Sequence, residues 1–275
     1  MKDKTYNIII LVLILVALNV GYGVYKSSIV DNKKSEEHVT QDDIKNSGSI
    51  VLDEEGNPSG VFEVIDNNLP LENKPVIVVP DLRRPIVVLE DLSPETEKIS
   101  RDKITSLTEV LKKDNEFFSG WLELAAYRKI IGDYLGAVEI WEFMTGAWPD
   151  SVIAYDNLGN IYHYQLRDFH KSESYFRQAI SKDLKYIPTY INFHELYLLS
   201  YDEKRDLADD ILLEGLINNP GNILLLSTLA EYYADLGDKD SAKVYYGQAL
   251  GEAEKMTDVN LKSQIQARID ALDNK

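Results

Sequence analysis

The residues best equipped for chemistry are four histidines, His38, His163, His170 and His194, set among 46 Asp and Glu side chains. A zinc centre needs three or four such ligands converging at a fixed spacing. Only His163 and His170 lie close together, with Asp168 between them, and no zinc spacing surrounds them. The sequence has no cysteine, which removes disulfides, thiolate nucleophiles, Cys-ligated metals and an acylated lipoprotein anchor. Carboxylate pairs such as Asp209 with Asp210 and Glu252 with Glu254 read as solvated helix faces. There is no G-x-S-x-G elbow, no phosphate loop and no glycine-rich dinucleotide fingerprint. Gly56, Asn57, Pro58, Ser59 and Gly60 make only a turn cluster. The expectation is a protein that is not an enzyme, with no catalytic residues, no metal and no cofactor. A net charge of −17 further argues against nucleic acid, whose phosphates call for a basic face.

The elements that position these residues recur. Trp121, Tyr155, Tyr190 and Leu226 open successive segments 34 to 36 residues apart, and Leu124, Leu158, Phe193 and Leu229 follow three positions later. Next come Ala125, Gly159, His194 and Ala230, small in three cases of four. Half a period on lie Ala137, Ser172, Ala208 and Ala242, each followed after four residues by Trp141, Phe176, Leu212 and Tyr246. Residues three and four apart share a helix face, so each set draws one apolar stripe. A small residue where two helices cross lets their backbones approach. Gly132 with Asp133, and Gly237 with Asp238 and Lys239, end one helix and start the next. A single hairpin cannot bury its stripe alone, so neighbours must stack into a solenoid.

These residues resemble the tetratricopeptide repeat (TPR) family. The best-fitting unit runs Leu226, Leu229, Ala230, Tyr233, Gly237, Ala242, Tyr246 and Ala249; the second has Tyr155, Leu158, Gly159, Tyr162, Phe176 and Ala179. The first unit departs at Arg128, where the family carries an aromatic, and at Met144, usually small. The third departs at His194 and has a longer hairpin loop. The resemblance implies an all-α solenoid of about four hairpins, whose first helices line a groove for a protein or peptide. Counted from the stripes, that partner-binding groove includes Lys129, Asp156, Asn160, His163, Tyr164, Glu195, Ser227, Glu231 and Asp235. Family members that hold acidic C-terminal tails use a clamp of lysine, arginine and asparagine. Here only Asn160 fits a clamp position, with Leu122, Ala126, Asp156, Ile191 and Glu195 at others, so a basic or mixed peptide suits this groove better.

Residues 5–25 are uncharged, rich in Ile, Leu and Val, and flanked by Lys2, Lys4 and Lys26. About 20 apolar residues span a bilayer, so a transmembrane helix or signal anchor is expected after a short tail, 1–4. Tyr6, Tyr22 and Tyr25 sit near its ends, where interfacial aromatics are favoured. Residues 26–60 read as a flexible polar tether. Residues 61–93 alternate β-branched runs with Pro70, Pro75, Pro80 and Pro85, which forbid a regular central strand. They read as an extended linker, with two further options: pairing with a partner's sheet edge or lying along the array. Ser93 as cap and Pro94 at the first position start a flanking helix within 94–117. The array is expected over 118–255. A capping helix over 256–275 carries Leu261, Ile265, Ile269 and Leu272 on one face.

The layout implies a single-pass protein of the cytoplasmic membrane, bacterial in character, whose extracytoplasmic array scaffolds an unidentified protein or peptide. Two alternatives stand beside it. One is a permanent structural part of a larger envelope complex. The other is a secreted soluble binding protein released by cleavage near Gly23.

Overall fold

The computed structural model describes residues 50–52, 58–61, 77–256 and 259–273. The expected membrane segment, 5–25, and most of the tether lie outside these residues. The chain divides into two units, 1–76 and 77–275. In the first, β1 (Ile50–Leu52) and β2 (Pro58–Val61) pair antiparallel, with Ile50 opposite Val61 and Leu52 opposite Pro58. Among the described residues no helix is long and apolar enough to cross a membrane.

The second unit is helical from Pro94 onward. After α1 (Pro94–Leu111) come four hairpins: α2 (Phe118–Ile130) with α3 (Tyr134–Ala147), α4 (Val152–Tyr164) with α5 (Phe169–Lys182), α6 (Ile187–Leu199) with α7 (Ala208–Asn218), and α8 (Ile223–Asp235) with α9 (Lys239–Lys255). Helix α10 (Val259–Asp273) follows. The flanking helix begins as its cap dictates, with Ser93 Oγ accepting from Thr96 N at 3.1 Å. It ends at Leu111, short of 117; from the following loop, Asn115 O accepts from Trp121 Nε1 at 2.8 Å.

Each second helix except α7 starts on an aspartate cap: Asp133 accepts from Gly136 N, Asp168 from Lys171 N and Asp238 from Ser241 N. The residue before each cap takes a left-handed conformation, Gly132 at φ 83°, Arg167 at φ 54° and Gly237 at φ 81°. Glycine adopts that region without penalty; Arg167 does not. The third hairpin replaces this short turn with a 3-10 helix (Asp202–Leu207), the longer loop expected from its sequence.

The stripes meet as their spacing requires. Trp121, Trp141, Phe176, Tyr190 and Phe193 are fully buried. Gly159 is essential to the second crossing, because a Cβ there would fall 2.4 Å from Phe176 Cε1. In the third hairpin His194 fills the small site by hydrogen bonding across the crossing: its Nδ1–H donates to Ala208 O at 2.8 Å. Burial, the largest effect, keeps its pKa below the usual value. Tyr197 and Tyr233 each reach back to the second helix of the preceding hairpin, donating to Glu173 and Asp209. Behind the last hairpin, Ile265 and Leu272 bury the face of α10 against α9.

Residues 77–92 are ordered against the first hairpin as a strap. Ile77 sits by Gly146, near the C-terminal end of α3; Arg84 sits by Gly136; and Leu89 Cβ lies against Gly132. The strap therefore runs antiparallel to α3. Burial alternates along it, with Leu82, Arg84, Ile86 and Val88 inward and Arg83, Pro85, Val87 and Leu89 outward, the two-residue period of an extended chain. Arg128, the departure from the family pattern, is its anchor. Its guanidinium donates to Pro85 O at 2.7 Å, Arg84 O at 2.8 Å and Asp133 Oδ2 at 3.1 Å. Arg84 returns a two-pronged bond to Asp133, 2.8 Å on each side. Leu89 N donates to Ile131 O and Arg101 to Ile86 O.

Candidate functional site: a polar face centred on Asp156

The first helices α2, α4, α6 and α8 carry the residues named for the groove. Asp156, on the second turn of α4, is buried rather than presented. Its carboxylate accepts from Thr189 Oγ1 at 2.9 Å, from Asn192 Nδ2 at 3.1 and 3.2 Å, and from Asn160 Nδ2 at 3.1 Å. Asn160 also donates to Asp156 O at 3.0 Å, one helical turn back. Burial pushes the Asp156 carboxyl up to about 6, against the pull of these donors and of the Lys129 charge. Lys129, half-buried at the end of α2, has its ammonium pKa lowered by the same burial, with Asp156 opposing. Tyr186 lies close enough to feel Asp156, and burial first, then that charge, raises its pKa.

One turn further on, Tyr164 is 45% exposed, and its hydroxyl donates to Glu195 Oε2 at 2.5 Å. Burial and that carboxylate together raise the phenol pKa. Ser227 is half-buried on α8, with Glu231 and Asp235 exposed beyond it. Glu231 pairs loosely with Arg268 of α10, at 3.5 Å.

His163 does not belong to this face. It is 1% exposed, and its Nε2 meets Ser200 Oγ at 2.9 Å, at the base of the long third loop. Burial, with Arg167 nearby, lowers its pKa to about 4, so the ring is neutral. The count by helical period placed His163 on this face; instead its ring packs against Tyr164 and Phe169, with Ser200 from the end of α6 on its Nε2. His170, read beside it in sequence, meets Tyr201 instead, Nδ1 to the hydroxyl at 2.8 Å. Among the described residues no three His, Asp or Glu side chains gather as a metal site would.

Two contributors were missed from sequence, Thr189 and Asn192. They stand three apart on α6, so they share a face, and neither fits the apolar stripe, which was the available signal. What the face can do is hydrogen bond. Asn160 is held by Asp156 one turn back on its own helix, and Asn192 and Glu195 are held from α4 by Asp156 and Tyr164.

Residues 152–185 and 225–255, the second and fourth hairpins, match the family model described as tetratricopeptide repeat. No curated protein matches the chain in sequence. Among solved structures it is similar to MamA, at 20% identity over 60% of this chain and 98% of that one, with a TM-score of 0.44. It is also similar to a thermophilic TPR protein of Thermus thermophilus, at 21% identity over 63% and 93%, TM-score 0.44. A third is PilW, a widely conserved type IV pilus biogenesis factor, at 19% identity over 63% and 86%, TM-score 0.43. The repeats at 152–185 and 225–255 are thus of TPR type, within an all-α helical-repeat solenoid, a fold that suggests an interaction scaffold.

Proposed function

We propose that the protein is a membrane-tethered scaffold whose first-helix face holds an extended segment of a partner protein. The observation that carries this reading is the polar lattice joining α4 to α6. Asp156 fixes Asn160 and Asn192, and Tyr164 fixes Glu195, so ligand-facing groups are set in place before any ligand arrives. Such preorganisation lowers the ordering cost of binding. The apolar residues 5–25 supply the anchor in this reading, residues 26–60 set the reach, and the array stands outside the cytoplasmic membrane of a bacterium.

Crosslinking in native membranes followed by mass spectrometry tests it, with the parent compared to a variant carrying Asn160→Ala, Tyr164→Ala and Glu195→Ala. The expected result is a partner captured by the parent and lost from the variant. Identical captures from both would refute the groove.

A further inference from the structure

The hydrogen-bonding sense of the groove is set from beneath. A carboxylate oxygen can only accept, so the amides of Asn160 and Asn192 must turn their NH2 groups toward Asp156. Asn160 commits its second N–H bond to the main chain. Both residues are half-buried; Asn160 leaves a ligand only its Oδ1, an acceptor, and Asn192 turns its Oδ1 away from the carboxylate. The Tyr164 hydroxyl proton is already given to Glu195. Beyond lie Glu231 and Asp235, acceptors again. Of the groove residues only Lys129 is purely a donor, and it is half-buried at the end of α2.

We propose that this face selects a donor-rich, basic segment of a partner, presenting arginine or lysine side chains and main-chain N–H groups, and that Asp156 is the positioning residue that fixes the preference. The proposal rests on the groove reading above and names its ligand chemistry. A free asparagine amide turns either way and serves donors and acceptors alike; one locked by its NH2 group cannot. An acidic ligand would bury acceptor against acceptor, leaving both without partners, and that mismatch is where discrimination arises.

The test uses the full chain in detergent and fluorescence anisotropy with labelled peptides of equal length, alternating Gly with Arg, Glu or Ser. The Arg probe should bind at least about tenfold more tightly than the Glu probe, a difference of about 1.4 kcal/mol. Asp156→Asn, close in shape, should narrow that ratio to about threefold or less. Asn192→Ala removes one outward acceptor while sparing the carboxylate, and should narrow it in part. Asp240→Asn takes the same formal charge from the exposed start of α9 and should leave the ratio unchanged. A ratio that ignores both Asp156→Asn and Asn192→Ala, or falls equally with Asp240→Asn, overturns the proposal. If Glu195→Ala weakens all three probes but the parent shows no Arg preference, the groove stands and the donor preference falls. If Glu195→Ala weakens none, the groove reading fails with it.

Discussion

Asp133→Asn isolates what holds the strap. Asparagine caps a helix as well as aspartate does, so α3 should still start at Tyr134. What disappears is one negative charge shared by two guanidinium groups. The Arg128 side chain is 3% exposed and Asp133 13%, whereas Arg84 is 34% exposed and has Glu139 within 3.3 Å. Breaking a fully buried pair costs about 3–5 kcal/mol. Because Arg84 keeps water and a second carboxylate, the loss here is put at about 2–3 kcal/mol. Asp133→Ala, which also removes the cap, should cost about 1 kcal/mol more. In thermal unfolding followed by circular dichroism, about 2–4 °C per kcal/mol translates to a fall of roughly 4–12 °C for the Asn variant. Hydrogen exchange at the Leu89 amide, which donates to Ile131 O at 2.8 Å, should accelerate first. An Asn variant that melts within about a degree of the parent, with Leu89 exchange unchanged, would show that the shared charge contributes nothing.

Glycine contacts give a paired prediction. Gly159→Ala drives a methyl into the Phe176 ring and should cost about 1–2 kcal/mol net, overpacking less the helix-propensity gain. Gly247→Ala meets nothing within 4 Å and should gain up to about 1 kcal/mol; equal shifts in urea midpoint would contradict the packing argument. Arg167→Gly relieves a left-handed residue and withdraws a charge that depresses His163, so the His163 resonance should titrate at higher pH in NMR. No movement would remove Arg167 as a cause. Acid stability should separate two opposed groups. Asp156 is raised from 3.8 to about 6, so the native state takes up its proton first, and the stability it lends is lost as pH rises through that window. His163 is lowered from 6.5 to about 4, so its contribution is present above 6.5 and lost as pH falls. Urea denaturation of the parent against Asp156→Asn should therefore show the parent's relative stability falling by up to about 3 kcal/mol between pH 4 and 6; parallel curves would exclude a raised Asp156.

The hairpins were legible because Trp121, Tyr155, Tyr190 and Leu226 recur at one period, and stacking converts that period directly into a buried stripe. The strap was only one option among three. Its anchor, Arg128, lies 43 residues from the carbonyl of Pro85 that it holds, and no local pattern links them. Pro80 and Pro85 offer no N–H, so the segment is held mainly by side chains donating to its carbonyls, a scheme without a sequence period. On the first-helix face, spacing placed Asp156 on the correct helix and turn. It could not reveal that Thr189 and Asn192 from the next repeat would close over the carboxylate. Burial at a groove depends on what the neighbouring unit brings, and repeats differ most there.

The strap also decides how the array bears load. Tension on the chain ahead of Ile77 enters beside Gly146, at the far end of α3, and runs along the strap before it can reach α1. It is resisted lengthwise by the bonds at Arg84, Arg128 and Leu89 acting together, not one at a time as when a terminal helix is peeled away. A pull from the N-terminal side is thus delivered to the first hairpin as shear, and α1 shares it through Arg101 at Ile86 O.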